Sequence, residues 1–217
     1  MKSGGSRGIF IAFEGGEGTG KSTQVRMLAD SLRSQGHTVN TTREPGGTPG
    51  AEAIRSLLLD PPGEGWTREA EALLFAAARA DHVDQLILPA LERGDLVLSD
   101  RFLDSSRAYQ GGAGGLADAD ILHLHQFGSA DLRPDLTLLL EVDDDVRTAR
   151  LAARDGKVSD AIGGRSAAYH AEVARAFRSF AEQDPDRVRR IDGGGSPGEV
   201  HARVMTALAP LLERASA

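Results

Sequence analysis

The stretch that most constrains this chain is the glycine-rich segment at residues 15–22, GGEGTGKS, which directly follows an apolar run at residues 9–13. It has the strand–GxxxxGK[ST]–helix pattern of a phosphate-binding loop, in which glycines let backbone N–H groups turn toward phosphate oxygens. A glycine-rich linker can match the same letters, but the apolar residues on both sides favour the loop. Lys21 is expected to reach the β- and γ-phosphates of a nucleoside triphosphate, and Ser22 to bind Mg²⁺. We assign nucleotide binding to Gly15, Gly16, Glu17, Gly18, Thr19, Gly20, Lys21, Ser22 and Thr23.

Apolar runs typical of strands alternate with helical patterns along the whole sequence, which predicts βαβ units and a mostly parallel sheet. With the phosphate-binding loop, this indicates a three-layer α/β/α fold of the P-loop NTPase type, with five strands and a short lid. The strands are predicted at residues 9–14, 38–42, 95–100, 135–141 and 187–191. Helices are predicted near residues 21–35, 50–59, 68–92, 116–127, 143–153, 166–183 and 197–214.

The length suits one large domain or a small two-lobed one, and no linker in the sequence divides two domains. The chain has 217 residues, of which 40% are hydrophobic and 26% charged, as is ordinary for a soluble globular protein. We assign residues 9–217 to a single domain whose lid spans about residues 154–166. The polar opening at residues 1–8 lacks a hydrophobic signal core, so we expect it to be a disordered leader.

Charge and residue usage exclude several classes of function. A net charge of −7 argues against a general nucleic-acid binder. The absence of cysteine excludes disulfides, a thiol nucleophile and a cysteine-based zinc site, and it suits a cytoplasmic protein. No apolar stretch is long enough to cross a membrane. We therefore expect neither nucleic acid nor membrane as a partner.

Charged residues lie at or directly after the ends of two predicted strands, at the edge where ligands bind in open parallel sheets. Asp100 ends an apolar strand and would lie beside the phosphate-binding loop, where it can bind a metal directly or through water. Arg101 would offer a bidentate donor to a phosphate, and Arg43 would bring a second fixed charge to the same edge. A surface ion pair and an ordinary β-to-α loop are the alternatives.

A helix and a following segment carry residues suited to a nucleobase. Spacing of four and then three places Phe75, Arg79 and His82 on one helix face, which offers a ring to stack on a base and a guanidinium to bond its carbonyl. Packing and surface exposure are the alternative, and we interpret His82 as structural or surface. Polar residues after the third predicted strand can read a base or simply form a turn; they are Ser105, Ser106, Tyr109 and Gln110.

The stretch at residues 147–165 is rich in arginine and lacks strong periodicity in its middle. It suits a mobile lid that closes over phosphates and excludes water. A solvated helix end with mixed charge is the alternative.

Taken together, these segments resemble the bacterial thymidylate kinase family over nearly the whole chain. The ordered matches are the phosphate-binding loop, TREPGGT at residues 42–48, FAAAR at 75–79, SDR at 99–101, SSRAYQG at 105–111 and RPDL at 133–136. The resemblance implies Mg²⁺-dependent transfer of the γ-phosphoryl group of ATP to thymidine 5′-monophosphate (dTMP), in dTTP biosynthesis, by a homodimer.

The resemblance also implies roles for individual residues. Phe75 would stack on thymine, Arg79 would bond its O4 atom, and Ser106 would contact the base edge. Tyr109 would crowd the 2′ side of the sugar and Gln110 would help to hold the base or sugar, with Ser105 in the same substrate site. Arg43 and Arg101 would face the acceptor phosphate, and Glu17 the sugar 3′-hydroxyl.

The sequence departs from the family in its lid. Family members place a catalytic arginine in the phosphate-binding loop or in the lid, and this loop has none. Bacterial lids end in a pattern like Asp-Arg-hydrophobic-Glu, where this chain has Ala161 and Gly163 in place of the two signature side chains. Arg154 is our candidate for transition-state charge stabilisation, with Arg150 and Arg165 in reserve. The expected catalytic set is Lys21, Arg101, Arg154 and Glu17.

Three other functions are the alternatives at this point. A different nucleoside monophosphate or deoxynucleoside kinase is possible on the same scaffold. A GTPase-like switch would carry an Asn-Lys-x-Asp motif for guanine, and the sequence has none. A kinase-like protein with an inactive lid is the third.

Overall fold

The computed structural model describes residues 7–153 and 161–216, and Arg154 lies outside them. A five-stranded sheet forms its centre, with the strands in the order β2-β3-β1-β4-β5 and every described pair parallel. The strands are β1 (Phe10–Glu14), β2 (Val39–Arg43), β3 (Leu96–Asp100), β4 (Leu136–Glu141) and β5 (Val188–Asp192).

Helices cover both faces of the sheet, which confirms the predicted three-layer α/β architecture. They are α1 (Lys21–Ser34), α2 (Pro49–Leu59), α3 (Arg68–His82), α4 (Leu88–Glu92), α5 (Leu103–Ser106), α6 (Asp118–Ser129), α7 (Asp144–Ala152), α8 (Ala167–Gln183) and α9 (Pro197–Ser216). None of these helices combines the length and apolar character that a membrane span requires.

Alternation along β1 divides the apolar core between the two faces of the sheet, because successive strand side chains point to opposite sides. Ile11 and Phe13 pack in the cluster that includes α1 and α9, while Phe10 and Ala12 pack in the cluster formed with α3, α4 and α6. Both faces of this central strand are fully buried, as expected of a parallel strand covered by helices.

The helix predicted at residues 68–92 contains an irregularity. A π-helical turn, Val83–Ile87, separates α3 from α4. Pro89 follows this turn in the first turn of α4, and a proline inside a helical run removes one backbone donor.

The segment that follows β3 is helical, which the sequence did not predict. Helix α5 continues into a π-helical segment, Arg107–Ala113, although this stretch contains Gly111 and Gly112. Its first turn is capped by the Glu14 carboxylate, which accepts hydrogen bonds from the backbone N–H groups of Phe102 and Ser105 at 2.8 and 3.0 Å. A cap supplied from so far along the chain compensates for the low helix propensity of the glycines.

Two residues of the expected leader, Arg7 and Gly8, contact residues of the domain. Arg7 bonds the Asp135 carboxylate at 3.0 Å, and the Gly8 N–H donates to the Leu91 carbonyl at 2.8 Å. The remaining residues of the expected leader, 1–6, lie outside the described part of the chain.

Candidate active site

A cleft of about 990 Å³ opens at the carboxyl edge of the sheet. Strand register places it there, because Asp100 pairs with Phe13 on one side and with Arg43 on the other. Most predicted site residues line this cleft: Glu17, Gly18, Gly20, Lys21, Ser22, Thr23, Arg43, Phe75, Arg79, Asp100, Arg101, Ser105, Ser106, Tyr109 and Gln110. Gly15, Gly16 and Thr19 complete the loop behind this lining.

The phosphate-binding loop wraps around its own lysine. Lys21 is buried, and its Nζ atom donates to the carbonyls of Gly15 and Gly16 at 3.0 and 2.7 Å. Burial, aided by the positive charge of Arg101, lowers the pKa of Lys21 to about 8. Gly15 has φ 132°, and a Cβ there would lie 2.3 Å from the Leu140 carbonyl oxygen, so the loop needs glycine at this position.

A hydroxyl and a carboxylate meet at the end of the loop. Ser22 Oγ donates to Asp100 Oδ2 at 2.6 Å. Hydroxyl and carboxylate oxygens are the hard ligands that Mg²⁺ takes, with water and phosphate oxygens completing its shell. These two side chains fit such an ion at the edge of the cleft.

Arg101 connects the loop to helix α5. Its Nη1 atom donates to the Gly15 carbonyl and to Ser105 Oγ, both at 3.1 Å, and Nη2 donates to the Tyr109 hydroxyl at 3.3 Å. Its backbone has φ 74°, a conformation that costs energy for a residue other than glycine. Burial lowers the pKa of Arg101, but Tyr109, Glu14 and Asp100 outweigh that effect and hold it above its ordinary value.

Glu14 lies directly behind this arginine and has a perturbed pKa. Besides capping α5, its Oε2 atom accepts a hydrogen bond from Ser105 Oγ at 2.6 Å. Burial and the nearby Asp104 carboxylate raise the pKa of Glu14 to about 7, against the opposing effect of Arg101. Helix α5 therefore starts on a carboxyl group that titrates near neutral pH.

The far wall of the cleft presents an aromatic ring beside a buried arginine. Phe75 lines the cleft one helical turn before Arg79, which is only 3% exposed. Arg79 Nε donates to Glu44 Oε2 at 2.8 Å and Nη2 donates to Ser106 Oγ at 2.7 Å. The expected base-binding residues Phe75, Arg79 and Ser106 are thus neighbours in space.

A second polar network holds the segment after α5. Gln110 Nε2 donates to Glu71 Oε1 at 2.8 Å, and the other Glu71 oxygen accepts from Arg165. Arg165 also bonds the hydroxyl of Tyr169, which itself donates to the Tyr109 carbonyl at 2.6 Å. Arg165, a reserve candidate for transition-state charge, is therefore engaged in an ion pair with Glu71.

Two further arginines near the loop are also engaged. Arg43 Nη2 bonds both carboxylate oxygens of Glu52, at 3.1 and 3.2 Å, and its side chain is largely exposed. Arg150 reaches from α7 to the carbonyls of Thr19 and Gly193 at 3.3 and 3.0 Å. The second reserve candidate therefore contacts the phosphate-binding loop itself.

Comparisons with known proteins agree with this geometry. The family model described as thymidylate kinase matches residues 13–204. Thymidylate kinase of Rhizorhabdus wittichii is 55% identical over 205 residues, covering 94% of this chain and 99% of that protein. The corresponding protein of Gluconobacter oxydans is 48% identical over 205 residues, covering 93% and 94%. A crystal structure of thymidylate kinase from Ehrlichia chaffeensis superposes with a TM-score of 0.76 at 31% identity, covering 93% of this chain and 99% of that one.

The chain belongs to the thymidylate kinase family. This confirms the resemblance expected from the ordered motifs.

Sequence reasoning missed the carboxylates that hold the arginines of this kinase. Glu14 ends a predicted strand and Glu44 lies in the TREPGGT motif, but the sequence pattern assigns no role to either of them or to Glu71. Each carboxylate bonds a group that is distant in sequence. Arg79 is 35 residues from Glu44, and Gln110 is 39 residues from Glu71. A carboxylate at a predicted strand end beside arginine-bearing segments is the signal that would have found the first two.

The pH dependence of stability tests the state of Glu14. A carboxyl group with a raised pKa in the folded protein holds its proton longer than it does when unfolded, so its contribution to stability is complete below about pH 4.5 and lost as pH rises to about 7. We expect the difference in unfolding free energy between wild type and Glu14→Gln to fall over this window, with a slope of up to about 1.4 kcal/mol per pH unit.

Urea unfolding of both proteins at half-unit steps from pH 4.5 to 8.5 measures this difference. Lys21, with its pKa of about 8, stays protonated over most of the window. Above pH 7 the difference in unfolding free energy between the two proteins should no longer change with pH, and this plateau is the internal control. A difference that does not change between pH 4.5 and 7 contradicts the assignment.

Proposed function

We propose that this cleft transfers the γ-phosphoryl group of ATP to dTMP, giving ADP and thymidine 5′-diphosphate. As a member of its family the chain is a nucleoside monophosphate kinase, a phosphotransferase. The observation that carries the proposal is a single cleft with the phosphate-binding loop on one side and the Phe75–Arg79–Ser106 wall on the other. We further propose that the enzyme acts in the cytoplasm, in dTTP biosynthesis.

On the donor side, the loop residues 15–23 would bind the triphosphate. The backbone N–H groups at the start of α1 would donate to phosphate oxygens. The Lys21 ammonium, which contacts the Gly15 and Gly16 carbonyls, would do the same. Ser22 and Asp100 would hold Mg²⁺, which when bound neutralises charge on the transferred phosphoryl group. An incoming phosphate also favours the charged form of Lys21 and so counteracts the lowering of its pKa by burial.

On the acceptor side, Arg101 and Arg43 would bind the dTMP phosphate and Glu17 the sugar 3′-hydroxyl. Arg101 is held from behind by Gly15, Ser105 and Tyr109. This fixed guanidinium supports a positioning role, since in-line transfer depends on alignment.

The base would lie against Phe75, with Arg79 donating to O4 and Ser106 at the base edge. Gln110 offers a further contact, because its Oε1 atom is buried and has no hydrogen-bond partner among the described residues. An N–H group of the ligand would satisfy it. Tyr109, which is buried beside Arg101, would crowd the 2′ side of the sugar.

The reaction needs no covalent intermediate on the protein. An oxygen of the acceptor phosphate, already ionised near neutral pH, attacks the γ-phosphorus while the bond from that phosphorus to the β–γ bridging oxygen breaks. The electron pair of the broken bond stays on ADP. The protein contributes alignment and positive charge around the transferred group.

A panel of acceptors tests the function directly. We expect coupled ADP release to be faster with dTMP than with dCMP, UMP, AMP or GMP, because Arg79 would donate to O4 and Tyr109 would crowd a 2′-hydroxyl. The panel contains dUMP, dCMP, UMP, AMP and GMP at equal concentration, with Lys21→Ala as the inactive control. Faster turnover of UMP, AMP or GMP than of dTMP contradicts the proposal.

Arg154 remains our proposal for transition-state stabilisation, on the sequence alone. We expect Arg154→Ala to lower kcat by at least about tenfold with little change in KM for dTMP, as for loss of a group that acts only on developing charge. Arg175→Ala, at an exposed arginine of α8 that pairs with Glu172, is the matched control. Unchanged turnover in an active wild type contradicts this role, and negligible turnover in both proteins indicates an inactive kinase-like protein.

We propose that the second copy in a homodimer covers the outer face of α3 and α6. Phe127 on α6 is 94% exposed and Leu73 on α3 is 55% exposed, which is unusual for large apolar side chains. The two helices pack closely, since a Cβ on Gly128 would lie 3.2 Å from Ala80 Cβ. An apolar face of this kind can pair with its own copy around a two-fold axis.

Light scattering after size exclusion tests the dimer. We expect wild type at twice the chain mass and Phe127→Glu at the chain mass, because a carboxylate would be buried without a partner. Val146→Glu, at a half-exposed apolar residue on α7, is the control and should stay dimeric. A monomeric wild type, or a Phe127→Glu dimer, contradicts the proposal.

A further inference from the structure

We infer that Glu44, with His82 and Thr42 behind it, is a positioning residue for base recognition. It fixes the Arg79 guanidinium so that one nitrogen, Nη1, is left for a carbonyl oxygen of the acceptor base. The inference rests on the proposed function, in which Arg79 bonds O4 of thymine.

The hydrogen bonds of Arg79 account for all but one of its nitrogens. Nε donates to Glu44 Oε2 at 2.8 Å, and Nη2 donates to Ser106 Oγ at 2.7 Å and to the Phe102 carbonyl at 3.4 Å. Nη1 has no hydrogen bond to any described residue, although Arg79 lines the cleft. The two N–H groups on this nitrogen are the donors that a ligand can use.

Glu44 is itself held by a buried chain of polar groups. Its Oε1 atom accepts from His82 Nδ1 at 3.1 Å, and His82 Nε2 lies 2.7 Å from Thr42 Oγ1. Because a carboxylate can only accept, Nδ1 carries a proton, and in the neutral ring Nε2 accepts from the Thr42 hydroxyl. Both carboxylate oxygens and both ring nitrogens are therefore paired, which leaves Glu44 one orientation.

The chain lies in the interior of the protein. His82 is fully buried, and the side chains of Glu44 and Arg79 are 4% and 3% exposed. Burial raises the pKa of Glu44, but Arg79 and His82 outweigh that effect and hold it below its ordinary value. The carboxylate thus stays ionised beside the guanidinium, and the pair presents a directed donor to the base.

A purely structural role predicts something different. If Glu44 only neutralised a buried arginine, its loss would lower stability and leave the choice of base unchanged. If it aims Nη1, its loss weakens the contact with O4 in particular. A substrate that differs from dTMP at position 4 of the base separates the two cases.

The experiment compares dTMP with 5-methyl-2′-deoxycytidine 5′-monophosphate, which carries an amino group where thymine has O4 and lacks the N3 proton. The N3 difference is common to wild type and variants, so a change in the preference reports on the contact at position 4. For Glu44→Gln we expect KM for dTMP to rise about tenfold with kcat changed less than about twofold. The preference for dTMP over the methylcytidine nucleotide, as a ratio of kcat/KM values, should fall by a similar factor. An unchanged ratio in Glu44→Gln, when Arg79→Gln lowers it, overturns the positioning role.

Two further variants provide a substitute for Glu44→Gln and a control for the loss of a buried ion pair. If Glu44→Gln does not fold, His82→Asn takes its place, since it keeps the charges of Glu44 and Arg79 and removes the bond to Thr42. It should lower the ratio of kcat/KM values about threefold, and an unchanged ratio overturns the inference.

Asp104→Asn is the control, because it breaks another buried ion pair, with Arg107, outside the cleft lining. It should lose stability and keep the wild-type ratio, and an equal fall in its ratio would show that the effect of Glu44→Gln is general.

The same assay distinguishes failure of the inference from failure of the proposed function. An unmodified enzyme that does not phosphorylate dTMP contradicts the function itself. A wild type that prefers dTMP, with an Arg79→Gln variant that keeps the full preference, overturns the role of Arg79 as the O4 donor and that of Glu44 with it.

Discussion

The site depends first on the parallel pairing of β1 between β3 and β4. Because all strands run in one direction, the carboxyl ends of β1, β2 and β3 meet at one edge, and their register aligns Phe13, Asp100 and Arg43. The phosphate-binding loop follows β1 directly, so Ser22 at the start of α1 lies within hydrogen-bond distance of the Asp100 carboxylate. A shift of one residue in this register would turn Asp100 to the other face of the sheet.

Buried carboxylates solve the electrostatic problem that an anion-binding cleft creates. Such a cleft needs positive charge, but a buried cation without a partner is costly. Glu44 pairs with Arg79 directly, and Glu14 reaches Arg101 through Ser105. Each acid therefore offsets the burial of an arginine whose guanidinium still lines the cleft.

Local chemistry explains what the sequence predicted well. The strands and the loop follow from apolar runs and glycines that act within a few residues, and Phe75 and Arg79 follow from helical spacing. The helical segment after β3 was missed because its cap, Glu14, is 88 residues away from Phe102. The pairing of Glu44 with Arg79, and of Glu71 with Gln110 and Arg165, depends on tertiary contacts that no local pattern encodes.

Tertiary contacts also determine what the described part of the altered lid does. Ala161 donates its backbone N–H to the Leu59 carbonyl at 3.4 Å, and Ile162 and Gly163 line the cleft. Ile162 and Gly163 therefore contribute to the cleft wall without adding side-chain charge to it. Arg165 is engaged by Glu71 and Arg150 by backbone carbonyls of the loop and of Gly193. Because these two arginines are already engaged, we propose from the sequence that Arg154, which lies outside the described residues, supplies positive charge to the transferred phosphoryl group.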